Sequence, residues 1–182
     1  MSFHPTTQRL ILRAPMMADT TAIVAILGDY EVAKNLAQVP HPFMERDFHD
    51  ALQRDAAERE KGDCHRFAVT RAMDGALIGL CAVERIAGGI WDFGYWYGRP
   101  YWGQGYATEA GRPILRFAFD DLGAEMLMAG WFFDNPASGR VLEKLGFETV
   151  GTMQRNCVAR GCEVLSNRVL LTAEQFARKK AA

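Results

Sequence analysis

The segment Trp102-Gly103-Gln104-Gly105-Tyr106-Ala107-Thr108-Glu109-Ala110 joins two glycines and several small residues to the start of an amphipathic stretch. Glycine lets a backbone approach a ligand closely. The first amides of a helix have no partner within it, and the helix dipole adds positive potential there. A turn of this kind holds a phosphate without a cluster of basic side chains. Its surroundings are unusual. Three of the four Trp and four of the five Tyr lie between Trp91 and Tyr106, among Gly88, Gly89, Gly94, Gly98, Gly103 and Gly105. Large rigid side chains beside bare backbone make a gripping surface.

Three phosphate motifs compete for this turn. A P-loop requires Gly-Lys-Ser/Thr, which the chain lacks. A dinucleotide fingerprint needs Gly or Ala at position 108, where Thr108 stands, and an acidic residue about twenty positions on. The sequence there is Met128-Ala129-Gly130. What remains is the pyrophosphate loop of a coenzyme A enzyme, or a plain helix start after a turn. Gly-x-Gly alone does not choose between them.

A second run bears on that choice: Asn135-Pro136-Ala137-Ser138-Gly139-Arg140-Val141-Leu142-Glu143-Lys144-Leu145-Gly146-Phe147. It resembles the second signature of the GNAT N-acetyltransferase superfamily. Gly94-Tyr95-Trp96 with the Trp102–Ala110 run resembles the first signature, and Gln8-Arg9-Leu10-Ile11-Leu12-Arg13 is similar to the first strand of its RimJ/RimL-like branch. The resemblance runs from about residue 7 to residue 176. It implies an α/β (α+β) fold with a mixed, mostly antiparallel sheet of about seven strands flanked by four helices, as one domain over residues 1–182. It also implies acetyl-CoA as cofactor and an amine as acceptor, either a protein N-terminus or a small molecule. In that fold two central strands splay apart around the pantetheine arm. The strand backbone would be that of Tyr95, Trp96 and Tyr97. The pyrophosphate would lie on Gly103, Gln104, Gly105, Tyr106, Ala107 and Thr108, with Asn135 on the pantetheine and Arg140 on the phosphate side. Trp102 stands where the superfamily usually has Arg or Gln, so a side-chain phosphate contact is lost and packing against the helix start is expected.

Transfer to an amine requires a deprotonated nucleophile, since such groups have pKa values of about 8 to 10.4. A backbone N–H of the splayed strand would donate to the oxyanion, and a donor near the leaving thiolate helps departure. Many superfamily members supply that donor from a Tyr seven residues after the Asn. Here Leu142 occupies the position. The branch instead has a Ser three residues after the Asn, and Ser138 is assigned that role, with capping of the short helix as its structural alternative. Glu84 is the preferred base, against the alternative of a strand-end charge paired with Arg85 or Arg13. Asp92 is left to recognise a cationic substrate. A non-catalytic acyl-CoA-binding module is the competing reading.

Composition narrows the rest. Of 182 residues, 49% are hydrophobic and 24% charged, a globular balance that excludes a disordered or coiled-coil chain. Lys plus Arg number 21 and Asp plus Glu 22, so no net basic field attracts nucleic acid or an anionic membrane. Nothing resembles a secretory signal or a membrane span. Cys64, Cys81, Cys157 and Cys162 have neither disulfide-scaffold density nor zinc spacing, so free thiols and no metal are expected. His41 and His49 read as surface residues and Arg178-Lys179-Lys180 as a solvated terminus. A cytoplasmic protein is the default, and a homodimer is left open.

The positioning elements follow from periodicity. Leu10 and Leu12 make 8–14 a strand. Asp19 is placed as cap of a helix carrying Ile23, Ile26 and Leu27 up to Gly28. Met44, Phe48, Leu52 and Ala56 mark a second helix ending at Gly62. Strands at 66–70, 76–86 and 90–97 are separated by Met73-Asp74-Gly75 and Ala87-Gly88-Gly89, which predicts an antiparallel meander. In the third, Trp91, Phe93, Tyr95 and Tyr97 share one face, with Asp92, Gly94 and Trp96 on the other. A helix over 106–122 contains Pro113, with a kink or late start to match. A strand at 125–132, a helix at 135–145 stopped by Gly146, and strands at 148–153 and 163–171 complete the chain.

Overall fold

The computed structural model describes residues 3–86 and 90–181. Gly88, Gly89 and the turn Ala87-Gly88-Gly89 lie outside the described residues. In the first strand, β1 (Leu10–Arg13), Leu10 and Leu12 are fully buried while Ile11 between them is exposed, the alternation of a one-sided strand. Helix α1 (Thr20–Leu27) buries Ile23 and Leu27. Asp19 does not bond its amides as expected. Its carboxylate instead takes the Arg13 guanidinium at 2.8 and 2.6 Å and the Met16 amide at 2.9 Å. A charge-assisted bidentate pair outweighs one capping bond. Helix α2 (Tyr30–Ala33) is capped by Asp29, which accepts from the Glu31 amide. Helix α3 (Glu45–Glu60) buries Phe48 and leaves Met44 exposed just before its start.

The meander β2 (Cys64–Arg71), β3 (Leu77–Arg85) and β4 (Trp91–Tyr97) is antiparallel as predicted. With β5 (Met126–Phe132), β6 (Glu148–Cys157) and β7 (Cys162–Thr172) it forms a seven-stranded sheet in the order β1-β2-β3-β4-β5-β7-β6. The β4–β5 pairing is parallel and the other strand pairings are antiparallel. The last two strands run longer than their hydrophobic patterns, because the exposed ends still satisfy each other's backbone.

Helix α4 (Tyr106–Arg116) carries Pro113 inside it, and the chain then widens into a π turn over 117–121 instead of continuing regularly to 122. Helix α5 (Pro136–Leu145) ends at Gly146 in the left-handed region, φ 105°. Helix α6 (Ala173–Ala181) follows β7. The described residues thus hold six α-helices, not the expected four. The extra two are α2, too short for a periodic signal, and α6, whose packing rests on Phe176 stacked on Phe119 at 4.8 Å. Helices α4 and α5 cover one sheet face through Phe93, Ile114, Leu127 and Leu142. The opposite face packs Ala68 and Trp96 against Ile23 and Phe48 of α1 and α3.

Candidate active site

Strands β4 and β5 pair only at Trp91↔Leu127 and Asp92↔Met128. Beyond that point they part, and a cleft of about 490 Å³ opens through the sheet. Its walls include Glu84, Asp92 and Trp96 on one face and Tyr95, Asn135 and Ser138 on the other. The splay expected of the central strands is therefore present.

Which backbone faces the opening follows from hydrogen-bond alternation. The Ile86 amide donates to Ile90 O at 2.7 Å, and the Gly98 amide to Ile78 O at 2.9 Å. Residues 90 and 98 thus face β3, and so do Asp92, Gly94 and Trp96 between them. Phe93, Tyr95 and Tyr97 turn their backbone the other way: the Phe93 amide closes the last bridge to β5, and its carbonyl and the backbone of Tyr95 and Tyr97 face the gap. This corrects the expected set: Trp96 lines the cleft by its indole, not its backbone, and Phe93 joins in its place. The Tyr97 carbonyl accepts the Trp102 indole N–H at 2.7 Å. Trp102 therefore does more than pack, since it ties the glycine turn to the end of β4.

In that turn Gly103 and Gly105 have φ of 73° and 81°, left-handed values that side-chain-bearing residues avoid. The turn feeds directly into α4, whose first amides face the cleft with Gly103, Gly105, Tyr106, Ala107 and Thr108. Gln104 departs from expectation. It is not among the cleft-lining residues, and its amide N–H₂ turns back to Pro100 O at 2.7 Å. Arg9 holds the turn from outside. It donates to Gln104 O at 3.1 Å and to Glu109 at 2.7 Å, and lies 4.4 Å over the Tyr106 ring. About a hundred residues separate these partners, and no local signal announces them.

On the opposite wall Asn135 caps α5, accepting from the Ser138 amide at 3.4 Å. The cap is thus Asn135 and not Ser138, and the Asn135 N–H₂ remains to donate into the cleft. The Ser138 hydroxyl meets the Tyr95 hydroxyl at 2.8 Å, and Tyr95 also donates to the Ser138 carbonyl at 3.0 Å. Burial pushes the Tyr95 phenol well above its ordinary pKa, so it stays protonated. Leu142 is buried in the core, while Arg140 and Lys144 line the cleft.

The carboxylates sit on the other face. Glu84 pairs with Arg66 at 2.8 Å, and Arg66 also reaches Asp55 at 3.1 Å. The partners expected for Glu84 are engaged elsewhere, Arg85 with Asp63 and Arg13 with Asp19. Asp92 stands directly across from Glu84 in the strand register. Its carboxyl is pushed up to about 6, first by burial and then by the Glu84 charge, against the pull of Arg155 and Arg168. A carboxylate so placed is poised to exchange protons near neutral pH. Spacing alone did not single it out, because its burial depends on where β4 and β5 part.

The model of the acetyltransferase (GNAT) domain matches residues 9–148. An uncharacterized N-acetyltransferase, p20, of Bacillus licheniformis is 27% identical over 157 residues, 85% of this chain and 88% of that protein. Among solved structures, the ribosomal-protein-S5-alanine acetyltransferase of Vibrio fischeri superposes with a TM-score of 0.83 at 16% identity, covering 96% of this chain and 99% of that one. Mycobacterium smegmatis RimJ in complex with CoA-disulfide superposes with a TM-score of 0.80 at 22% identity, covering 94% and 88%.

Proposed function

The chain belongs to the GNAT acetyltransferase family, and from that membership we propose how its cleft transfers an acetyl group from acetyl-CoA to an amine. The cofactor, when bound, supplies an acetyl thioester. The residues present fit it. The Phe93 carbonyl and the unpaired backbone of Tyr95 suit the amides of a pantetheine arm, and the Asn135 N–H₂ adds a donor. The amides of Gly103, Gly105, Tyr106, Ala107 and Thr108 suit a pyrophosphate, with Arg140 and Lys144 adding charge.

Asp92 is the base in this reading, with Glu84 moved from base to neighbour. Glu84 is committed to Arg66, whereas Asp92 forms no ion pair among the described residues and has a pKa suited to taking an ammonium proton. Ser138 holds its hydroxyl for the departing thiolate. Tyr95 donates to the Ser138 carbonyl, and its hydroxyl lies 2.8 Å from that of Ser138, which holds the serine hydroxyl at the cleft wall. The Tyr95 amide faces the gap beyond the last β4–β5 bridge and can donate to an oxyanion. The observation that carries the reading is the parting of β4 and β5 after Asp92, which joins the cofactor wall to the carboxylate face.

The acceptor is a primary amine entering on the face of Asp92 and Trp96. Residues 1–182 act as one catalytic domain, supported by a family match that reaches across β1 to the start of β6. Four free thiols suit a reducing cytoplasm, and no helix among the described residues is long and apolar enough to cross a membrane. Thiol release from acetyl-CoA, measured with a panel of amines, tests the reading. Amine-dependent release is expected. Tight CoA binding with no such release overturns it.

A further inference from the structure

Arg155 on β6 lines the acceptor side of the cleft, and its side chain makes no ion pair or hydrogen bond to any described residue. Its register partner is Val164, whose side chain lies on the Trp96 side of the sheet together with Phe132 and Ser166. The nearby Arg66 is different, because Asp55 and Glu84 occupy both its Nη atoms. Asp92 feels the positive charge of Arg155, yet the two are not paired. On the Trp96 face of the cavity, away from Arg140 and Lys144 of α5, an unpaired carboxylate and an unpaired guanidinium therefore share one space. Leaving both half-desolvated is costly unless something bridges them. Gly130 of β5 lies beside this guanidinium. A Cβ there would stand 3.8 Å from Arg155 Nη1 and 3.1 Å from Asn167 O.

We propose that the acceptor is an amine bearing a nearby carboxylate, with the amine at Asp92 and the carboxylate on the fork of Arg155. The inference rests on the acetyltransferase reading above. A guanidinium matches a carboxylate with two parallel hydrogen bonds, which fixes the direction of the substrate as well as its charge. With the carboxylate held at Arg155, the amine gives its proton to Asp92 and presents its lone pair toward the opening between β4 and β5. A polyamine is disfavoured, since its second cation would face Arg155. Two sources present this chemistry: a free amino acid, and a peptide whose N-terminal residue has an acidic side chain.

Matched pairs separate them. Thiol release is measured for a free amino acid against its carboxamide, and for a short peptide beginning with Asp against the same peptide beginning with Asn. The carboxylate member of at least one pair is preferred by about ten- to a hundredfold in kcat/KM, and the pair that shows it identifies the source. Arg155→Ala removes the preference and Arg155→Lys restores part of it. Calorimetric titration of the preferred member into the CoA-bound protein shows the same loss without turnover, while CoA affinity is equal in both proteins. Equal rates within every pair overturn the proposal, as does an undiminished preference in Arg155→Ala. So does a protein that binds CoA but turns over no carboxylate-bearing amine. A wild-type protein that fails to bind CoA at all brings down the acetyltransferase reading, and this inference with it.

Discussion

The Tyr95 hydroxyl lies 2.8 Å from the Ser138 hydroxyl and 3.0 Å from the Ser138 carbonyl. The contact fastens the free part of β4 to the first turn of α5. It gives Ser138 a fixed hydroxyl neighbour, whereas Leu142 is buried in the core. A serine hydroxyl alone is a weak acid. One hydrogen-bonded to a phenol is held in a fixed position.

That relationship predicts how two variants behave. Ser138→Ala lowers kcat by about ten- to a hundredfold while CoA Kd changes little, because the hydroxyl acts when charge develops on the sulfur. Tyr95→Phe lowers kcat by less, and the double variant costs no more than Ser138→Ala alone. Steady-state kinetics with calorimetry of CoA binding checks this. Equal losses in kcat and CoA affinity would show that the pair only shapes the binding wall.

Asp92 also predicts a stability profile. Folding raises its pKa from an ordinary 3.8 to about 6, so within this window the native state keeps a proton that the unfolded chain has lost. Stability contributed by this group is present below about pH 4 and is lost as pH rises through 6, by about 3 kcal/mol. Asp92→Asn flattens that part of the curve. Denaturant unfolding between pH 4 and pH 7 reads it, and identical slopes in both proteins would count against the buried carboxyl. Glu84→Gln removes a like charge and moves the Asp92 pKa down.

Arg9 braces the glycine turn from β1, with its side chain 44% exposed and that of Glu109 18% exposed. Exposure limits the contribution of the pair to about 0.5–1 kcal/mol. Arg9→Met therefore weakens CoA binding about two- to fivefold and leaves kcat for bound substrates close to wild type. Calorimetric titration of CoA measures it. A full loss of folding would mean that Arg9 holds the core, not the turn.

Gly139 follows Ser138, and a Cβ there would stand 2.7 Å from the Trp131 indole. Gly139→Ala overpacks this contact and costs about 1–3 kcal/mol. Thermal unfolding reports it. An unchanged Tm would mean that Trp131 shifts freely.

The parts of the site legible in the sequence are those carried by contiguous residues. The turn at Gly103 and Gly105 shows as a candidate phosphate site by local chemistry, the Asn135–Ser138 run by its resemblance to a family signature, and the meander by its period of two. What stayed hidden depends on register and on distant partners. Trp96 and Phe93 exchange roles because backbone alternation, not side-chain type, decides which amides face the gap. Gln104 sits in the turn, yet its side chain closes on Pro100. Arg9, just before β1, and Arg66 and Arg155, on β2 and β6, reach the site from afar, and no spacing rule links them to residues 92–138. Helix α6 escaped because its charged sequence has little apolar stripe beyond Phe176.

The account turns on Asp92 taking the amine proton where β4 and β5 part. The direct test is the pH dependence of kcat/KM for amine-dependent thiol release in the wild type, Asp92→Asn and Glu84→Gln. The wild type should show an acidic limb near pH 6. Asp92→Asn should lose that limb and about 10²–10⁴ in rate, and Glu84→Gln should keep it at lower pH. A limb that survives in Asp92→Asn and disappears in Glu84→Gln would contradict the account.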